Sequence, residues 1–526
     1  MRRSLALVLL LALLSGNGAA AQVVDDALVP GGRIRLQMFP VYTSWDSRFG
    51  RTADGTTGRE ELGEDLTSGS AETLFPGTAS LASAIASMTG SSGYTPVLGE
   101  TVGRVSKDIT RIEFGGHVGI FDWLTIGAVL PWTRTRTNVD VYFSPDTLNG
   151  TLGLNPVATD GGVDTFLSAL ASADASAQAN ANQVCGASPG SAACTSAQTL
   201  ASRTSSFSAS ASTAYSASPF FPLAGTTTAT SLQSAASSLD ADLTAAGLTG
   251  IGAPMVFASQ TVSPEDFPLL SNMAGLGIEG DTLGSVRSAW YSGDLEVSAT
   301  VRLLEGAVRD SAEAPPTFSY RLLGTVLVRL PTGLADDPDV FLDVGTGDGQ
   351  TDIEGRLLGA MTLGSRLELR LGGRYGIQRP RTLIRRVAAP EQVLAPLSSR
   401  QLVEWDPGSY FGVEVAPSFH FSEELSIGVE YWAFRKYRDS YALTGSSVGA
   451  PVDPTAMQPE SGVTVHSVGG ILRYDTVARR MRTGSTTPLQ LHLRIQRDVA
   501  GGGGQTPVTT RLEFGVRLFR RFWGAP

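Results

Sequence analysis

Four histidines are the residues of this chain best suited to proton transfer, because an imidazole titrates near neutral pH. They are His117, His420, His466 and His492. Paired with a serine nucleophile, a histidine base would make a hydrolase. No serine stands at a spacing that favours such a pair, and a catalytic triad is defined by geometry that a sequence does not supply. We therefore expect that the histidines have no catalytic role and that the protein is not an enzyme.

Charged residues alternate with apolar ones, most clearly from Asp352 to Gln378 on both sides of a short break at 364–366. Successive side chains of a strand point to opposite sides of a sheet, so one face is charged and the other carries Leu, Ile, Met and Tyr. Opposite charges on adjacent strands pair across the ladder. The same parity on other strands selects sixteen candidates for lining an interior: Arg111, Glu113, His117, Glu296, Arg302, Glu354, Arg356, Glu368, Arg370, Arg374, Glu414, His420, Glu430, Arg494, Glu513 and Arg517.

Twelve alternating runs carry these residues. They are Arg33–Trp45, Ile112–Ile120, Leu124–Thr133, Trp290–Leu304, Thr317–Pro331, the two halves of Asp352–Gln378, Phe411–His420, Leu425–Tyr431, Gly462–Asp475, Leu489–Asp498 and Thr509–Phe519. All but Leu425–Tyr431 are at least nine residues long, which is enough to cross a bilayer as a tilted strand.

The links between the runs alternate in length. Short links lie near 122, 305–316, 365, 423 and 476–488, and long links cover 46–107, 137–289, 332–350, 380–406 and 440–461, while the last, Gly501–Gly504, is short. A sandwich has no reason to segregate loop lengths in this way, whereas an outer-membrane barrel requires it. The fold class predicted is all-β: a closed antiparallel transmembrane β-barrel of about 12 strands.

Aromatic residues near the strand ends fit the interfacial girdles of such a barrel. They include Trp132, Trp290, Tyr291, Tyr320, Trp405, Tyr410, Tyr431, Trp432 and Tyr437. The apolar faces would then contact lipid and the charged faces would line the lumen. Side chains just fill the interior of an eight-stranded barrel, whereas a sixteen-stranded barrel leaves an aqueous channel. A barrel of twelve strands is therefore predicted to contain at most a narrow polar path.

Residues 1–21 predict a secretory signal peptide, with Arg2-Arg3, the apolar run Leu5–Leu14 and the small residues before Gln22. The barrel would then comprise residues 22–526. The full chain carries a formal charge of −10, and loss of the two signal arginines makes the mature chain −12. Since nucleic-acid binding needs basic patches, nucleic acid is not an expected partner. The expected partners are outer-membrane lipids, the barrel-assembly machinery and a small-molecule solute.

The link at residues 137–289 predicts an extracellular loop insertion rich in Ser, Ala and Thr. Helical spacing occurs in pieces, as at Phe166 and Leu170, at Leu232–Leu243, and at Leu81–Met88 in the first long link. Either a helical cap or lumen plug, or a solvated and disordered surface loop, is compatible with this composition. Cys185 and Cys194 lie within it, and in an oxidising compartment they predict a local disulfide.

Metal binding is not expected. Acidic residues between Asp336 and Asp352 offer oxygen ligands, but their irregular spacing matches no defined calcium loop. A solvated, turn-rich loop is the expectation there, and no cofactor is predicted.

Two motifs resemble a known family. Leu330–Gly333 followed by Gly345–Asp352 and a hairpin ending near Tyr375, and the turn Phe121–Leu124 followed by Leu130–Trp132, are similar to outer-membrane transporters linked to the meta-cleavage pathway of phenol degradation. The resemblance covers residues from about 108 to 136 and from about 290 onward. It implies a barrel that passes small hydrophobic or aromatic compounds.

Three functions follow as hypotheses. The first is passive passage of small, hydrophobic or aromatic solutes through an outer-membrane channel. The second is a structural or surface-interaction barrel with a closed lumen. The third, a minor alternative, is a lipid hydrolase at the outer rim.

Overall fold

The computed structural model describes residues 28–51, 57–158, 160–311, 316–444, 453–477, 479 and 488–523. The predicted signal peptide lies outside these residues.

Twelve antiparallel strands form one closed sheet. Each strand pairs with the next in the chain, and β12 pairs back with β1, so the sheet closes into a barrel and the predicted fold class is confirmed. The strands are β1 Arg33–Trp45, β2 Gly99–Phe121, β3 Leu124–Pro145, β4 Leu295–Val308, β5 Phe318–Leu330, β6 Asp352–Leu363, β7 Leu367–Gln378, β8 Tyr410–His420, β9 Leu425–Lys436, β10 Val463–Asp475, β11 Leu489–Gly502 and β12 Thr510–Arg521.

The two ends of the barrel differ. The connections after β2, β4, β6, β8 and β10 lie at one end, named here the short-turn end, and those after β1, β3, β5, β7, β9 and β11 lie at the other, the long-loop end. Hairpin turns at Phe121–Leu124, Leu363–Leu367 and His420–Leu425 are among the shortest connections. This alternation agrees with the pattern expected from the sequence.

Strands β2 and β3 extend further than predicted. The sequence predicts long loops at 99–107 and 137–145, but these ranges continue the β2–β3 pairing from Lys107 with Thr137 out to Gly99 with Pro145. The reason is that one face of this extension is buried: Thr101, Val105 and Phe143 are each at most 6% exposed. Residues of the first long connection, around the 3-10 segments Glu64–Leu66 and Ala71–Leu74, cover that face together with Phe267 of the insertion. The local sequence pattern does not reveal this.

The insertion is folded around a core of its own. Its helices are α2 Gly162–Ala187, α3 Ala192–Ser216 and α4 Thr227–Ala245, and α1 Gly77–Thr89 from the first long connection packs against α3 and α4. The predicted helical positions are buried, among them Leu81, Phe166 and Leu232. The same cluster includes Phe143 of the strand extension, so this helical domain packs on the long-loop end of the barrel.

Short strands and turns of 3-10 helix occur in the long connections. Arg381–Arg386, Arg400–Asp406 and Ser440–Leu443 form one small sheet; Ser47–Arg51, Thr57–Glu61 and Thr506–Pro507 form a second; Leu152–Leu154 pairs with Phe220–Pro222; Val286–Arg287 and Tyr291–Ser292 pair with β3. The 3-10 segments are Glu64–Leu66, Ala71–Leu74, Pro156–Ala158, Phe267–Asn272, Leu397–Ser399 and Pro454–Met457. Trp405, predicted in an aromatic girdle, belongs to the first of these sheets.

An apolar band surrounds the outside of the barrel. Every strand contributes an exposed large apolar side chain to it: Leu36, Phe114, Ile126, Val297, Val326, Ile353, Leu371, Val413, Val429, Val468, Ile495 and Leu512. None of the described helices is long and apolar enough to cross a membrane.

Candidate functional site

The interior of the barrel holds the charged residues singled out in the sequence. By strand register, all sixteen candidates occupy positions that point away from the apolar band. Ten are buried: Glu113, His117, Glu296, Glu354, Arg374, Glu414, Glu430, Arg494, Glu513 and Arg517. Arg111, Arg302, Arg356, Glu368, Arg370 and His420 are partly exposed.

One network of interior charges joins β9, β11 and β12. The Arg494 guanidinium lies 3.0 Å from a Glu430 carboxylate oxygen and 3.3 Å from Glu513. Glu513 also contacts Arg511 at 2.8 Å and the His492 imidazole at 2.8 Å. A single glutamate is thus shared by three basic side chains, which satisfies buried charge by pairing.

A second network runs from β2 to β7. Arg111 bridges Glu113 at 3.1 Å and Glu296 at 3.8 Å, and Arg329 continues the chain from Glu296, at 3.1 Å, to Asp352. Glu354 then contacts both Arg356 and Arg374.

Several members of these networks were absent from the sequence selection. Arg329, Asp352, His492 and Arg511 are buried and take part in them. Each stands at the inward parity of a strand that the sequence predicts, so taking every charged residue and histidine of that parity would have found them.

An aromatic cluster lies beside the second network. The Arg374 guanidinium sits over the rings of Trp432 at 5.2 Å, Phe434 at 5.3 Å and Tyr410 at 5.9 Å. A side chain at Gly412, which faces Arg374 across the ladder, would place its Cβ 3.0 Å from the Arg374 Nε. Glycine there leaves room for the guanidinium to reach the rings.

The positions of Tyr410 and Trp432 correct a prediction. The sequence predicts both in the interfacial girdles because aromatic residues favour membrane interfaces. Tyr410 is 1% exposed and Trp432 9% exposed, and both point inward. Parity along β8 and β9 requires this, since Val413 and Val429 occupy the outer face.

The central part of the interior is packed. Arg494 and Glu354 are fully buried, and Glu414, Glu430 and Glu513 are at most 3% exposed. Side chains that lined a wide water-filled pore would be far more exposed. At this level the barrel is closed by its own side chains, in keeping with twelve strands.

An inner cavity of about 490 Å³ opens at the short-turn end. Its walls come from β4 to β7 and include Glu305, Arg321, Leu323, Leu358, Glu368 and Arg370. Leu28, which precedes β1, packs against Leu323 and Leu358. The cavity therefore combines an apolar wall with two ion pairs, Arg321 with Glu305 and Arg370 with Glu368.

Three of the four histidines contact an acid or a phenol. His420 lies 3.1 Å from Glu368, His492 contacts Glu513, and His466, on the outside of the barrel, lies 2.7 Å from the Tyr431 hydroxyl. No histidine is hydrogen-bonded to a serine within the described part of the chain. The chemistry of a serine hydrolase thus lacks its nucleophile–base pair at these positions.

Cysteine and acidic residues lie in the long connections. Cys185 and Cys194 form the predicted disulfide, which links the end of α2 to the start of α3. In the described ranges, no group of three or more His, Cys, Asp or Glu residues could hold a metal ion.

Asp294 is a buried acid just before β4. Its carboxylate accepts a hydrogen bond from the Gly333 amide at 2.8 Å, and burial raises its pKa above the ordinary value. It thereby ties the connection after β5 to the start of β4.

Comparison with known proteins identifies neither a matching family model nor a matching curated protein. Among solved structures, the chain is similar to an outer-membrane channel from Pseudomonas putida F1, with a TM-score of 0.41 and 9% identity over 94% of this chain and 100% of that one. It is also similar to a FadL homologue from Pseudomonas aeruginosa (TM-score 0.26, 9% identity, 94% and 91% coverage) and to a mutant of the TodX monoaromatic hydrocarbon channel (0.27, 9%, 94% and 91%). Identities and scores this low do not determine a function, so function has to be inferred from the chain's own geometry.

Proposed function

We propose that this protein is an outer-membrane channel through which small, hydrophobic or aromatic solutes pass passively. The observation that carries the proposal is the inversion of polarity: a closed barrel with an apolar band outside and paired charges with a cavity inside. A water-soluble protein buries its apolar side chains instead. Closure leaves no unpaired sheet edge, which lipid could not hydrogen-bond.

The orientation follows from the two ends. In bacterial barrels the short turns face the periplasm and the long loops face outward. On this basis the helical domain lies outside the cell. We further propose that residues 1–21 are a signal peptide and that the barrel-assembly machinery inserts the mature chain. The apolar band meets outer-membrane lipids.

The sixteen charged candidates would line the solute's route. A solute entering at the long-loop end would pass the aromatic cluster and the central ion pairs before it reaches the inner cavity. Because the central zone is packed, passage requires side chains to rearrange, which makes the channel selective for small molecules. Movement would follow the concentration gradient, without a cofactor or ATP.

A second candidate is a closed structural barrel that acts through its helical domain. The packed central zone favours it, since no wide path crosses the ion pairs. The folded helical domain favours it also, because it presents an ordered surface at the long-loop end. An outer-rim hydrolase is not proposed, since His420 and His492 lie towards the short-turn ends of β8 and β11, opposite the outer rim.

Solute uptake by liposomes separates the two candidates. The mature protein is reconstituted, and swelling is measured with small neutral sugars and with benzyl alcohol, against empty liposomes. A variant in which 147–284 is replaced by a short Gly/Ser linker keeps β3 intact to Pro145 and tests whether the helical domain limits the rate. Swelling above the empty-liposome rate in either protein supports a channel. Heat-dependent gel migration shows that each protein is folded. If both folded proteins are impermeable, the result would exclude a channel and favour the closed barrel.

A further inference from the structure

We infer, on the basis of the proposed channel function, that the helical domain is a lid over the long-loop end of the lumen and that Arg386 is the latch that holds this lid closed. Two features of the long-loop end support a latched lid. One is a hydrophobic core that joins four of the long connections, and the other is a buried guanidinium that bonds the insertion to two of them.

The core of the helical domain extends across the mouth of the barrel. Besides the helices, it contains residues of the connections after β1, β5 and β7, such as Leu66, Phe341 and Leu394. Each of these three is at most 7% exposed. With the insertion after β3, four connections thus share one apolar cluster, and they rise from strands β1 to β8 of the twelve. The domain therefore covers the entrance, and a solute from outside meets it before the aromatic cluster.

A buried arginine fixes the insertion to its neighbouring connections. Arg386, whose side chain is 4% exposed, ends a short strand in the connection after β7. Its guanidinium donates hydrogen bonds to the carbonyl oxygens of Ile278 and Glu279 in the insertion, the second at 2.6 Å. It also donates to the Ala395 carbonyl at 2.8 Å and to the Asp339 carboxylate at 3.1 Å. One side chain therefore links the insertion to the connections after β5 and β7.

This position uses the planar shape of the guanidinium. Arginine offers five N–H donors in fixed directions, whereas the lysine ammonium offers three donors on a flexible stem. The Arg386 guanidinium also lies over the ring of Phe341, 5.7 Å from its centroid, which adds a cation–π contact. A shorter or differently shaped side chain cannot make these contacts together, so substitution at Arg386 should loosen the seam between the insertion and the two connections.

Backbone hydrogen bonds continue the same seam. The Leu397 amide donates to the Gly277 carbonyl at 2.8 Å, and the Asp281 amide donates to the Asp339 carbonyl at 2.7 Å. Both bonds join the insertion to a connection that Arg386 also contacts. Their amide hydrogens therefore report directly on whether the seam is open or closed.

The backbone at this seam adopts conformations that L-amino acids rarely take. Glu279 has a φ of 39° and Leu342 a φ of 60°, both in the left-handed region. Such conformations persist only where surrounding contacts impose them, and they are frequent at clamps and switches. Arg386 bonds the carbonyl of Glu279 itself. Loss of the guanidinium would let this turn relax, which favours separation of the insertion from its neighbours.

Arg400 provides a matched control. It pairs with Arg386 in the small sheet after β7 and contacts the same acid, Asp339, at 2.9 Å. Its side chain is 41% exposed, and exposed ion pairs contribute little to stability. Substitution of Arg400 should therefore leave the seam closed.

Hydrogen exchange measures the opening of the lid without depending on transport. The folded mature protein in detergent is compared with Arg386→Gln and Arg400→Gln by mass spectrometry of peptides that cover 277–281 and 395–399. We expect exchange in both peptides to be at least tenfold faster in Arg386→Gln and unchanged in Arg400→Gln. Peptides from α2 and α4 should keep wild-type protection in both variants, because a lid moves as a folded body.

Liposome swelling then tests whether the lid controls entry. We expect Arg386→Gln to admit benzyl alcohol severalfold faster than the wild type, and Arg400→Gln to match the wild type. A wild-type swelling rate in Arg386→Gln, despite faster exchange at the seam, would overturn the lid as the control of entry.

Other outcomes separate the latch from the channel. Unchanged exchange at 277–281 in Arg386→Gln would overturn the latch, and so would an equal loss of protection in α2 and α4, since Arg386 would then stabilise the whole domain. Faster exchange at the seam without swelling in any protein, including the one that lacks 147–284, would refute the channel and leave the latch standing. If Arg386→Gln fails to fold, Arg386→Lys, which keeps the charge but loses the planar fork, should speed exchange at the seam severalfold, and no increase would count against the latch.

Discussion

Arg494 shows how a single residue depends on the whole interior. It is fully buried and contacts Glu430 of β9 and Glu513 of β12 from its own strand, β11. Burying an ion pair contributes little net stability, but removing one partner leaves the other charges uncompensated. The Arg494 guanidinium is needed to neutralise the two buried carboxylates, Glu430 and Glu513, that it contacts.

Replacing Arg494 by methionine should therefore destabilise the barrel by about 3–5 kcal/mol. The free energy of unfolding is measured by urea titration of the protein refolded into lipid vesicles. Arg203→Met is the control: its pair with Asp242 is about half exposed, so a change of about 0–1 kcal/mol is expected. If Arg494→Met lowers the free energy of unfolding by no more than Arg203→Met does, the Arg494 charge does not stabilise the buried network.

Among the structural elements, the connection after β5 depends on Asp294. The acid is 6% exposed, and burial raises its pKa, so the folded state holds the proton more tightly than the unfolded chain does. Its contribution to stability is therefore fully present below the ordinary pKa and is lost as pH rises through the folded pKa. At neutral pH the connection carries the cost of a buried carboxylate.

We expect the Gly333 amide to exchange hydrogen more slowly at acid pH than at neutral pH, after correction for the intrinsic exchange rate. In Asp294→Asn the side-chain oxygen still accepts the Gly333 hydrogen bond but no longer titrates, so the pH dependence should flatten. Glu100→Gln, at an exposed position of β2, should retain it. If the Asp294→Asn variant keeps the same pH dependence of Gly333 exchange, that dependence would come from other acids and not from Asp294.

The disulfide acts on the helical domain alone. It joins two residues at a sequence separation of 9, one in α2 and one in α3, and such a cross-link restricts the unfolded chain. Cys185→Ser/Cys194→Ser should lower the stability of the helical domain by about 2–3 kcal/mol. Limited proteolysis with thermolysin against temperature measures this loss, while the heat-dependent gel shift of the barrel should stay the same. A shift of the barrel transition by the same amount would mean that the two unfold together.

At the scale of the whole molecule, the apolar band determines whether the outside of the barrel contacts lipid or water. Ile495 of β11 is 57% exposed and points outward at mid-strand. If the band meets lipid, Ile495→Arg should cost about 2–4 kcal/mol in the free energy of folding into vesicles. Leu148 is 92% exposed in a long connection, and Leu148→Arg should be neutral. Equal effects of the two substitutions would argue that the band contacts water.

Much of the fold could be predicted because strand alternation is a local property. Two-residue periodicity assigns each side chain to a face from its neighbours alone, so the twelve strands, the difference between the two ends and the parity of Glu354 and Arg374 follow from the sequence. Where residue type was preferred over parity, at Tyr410 and Trp432, the prediction was wrong. The helical spacing at Phe166 and Leu232 was visible too, but not whether those helices would find a shared core.

The tertiary structure decided what depends on residues distant in the chain. Pairing of β9, β10, β11 and β12 side by side in the curved sheet brings Glu430, Arg494 and Glu513 together, although more than sixty residues separate the first two. The extension of β2 and β3 exists because residues distant from it in the chain, among them Leu66 and Phe267, bury one of its faces. The inner cavity needs four strands at once. Alternation specifies which side a residue faces, whereas its partners are specified only when the closed sheet sets every register.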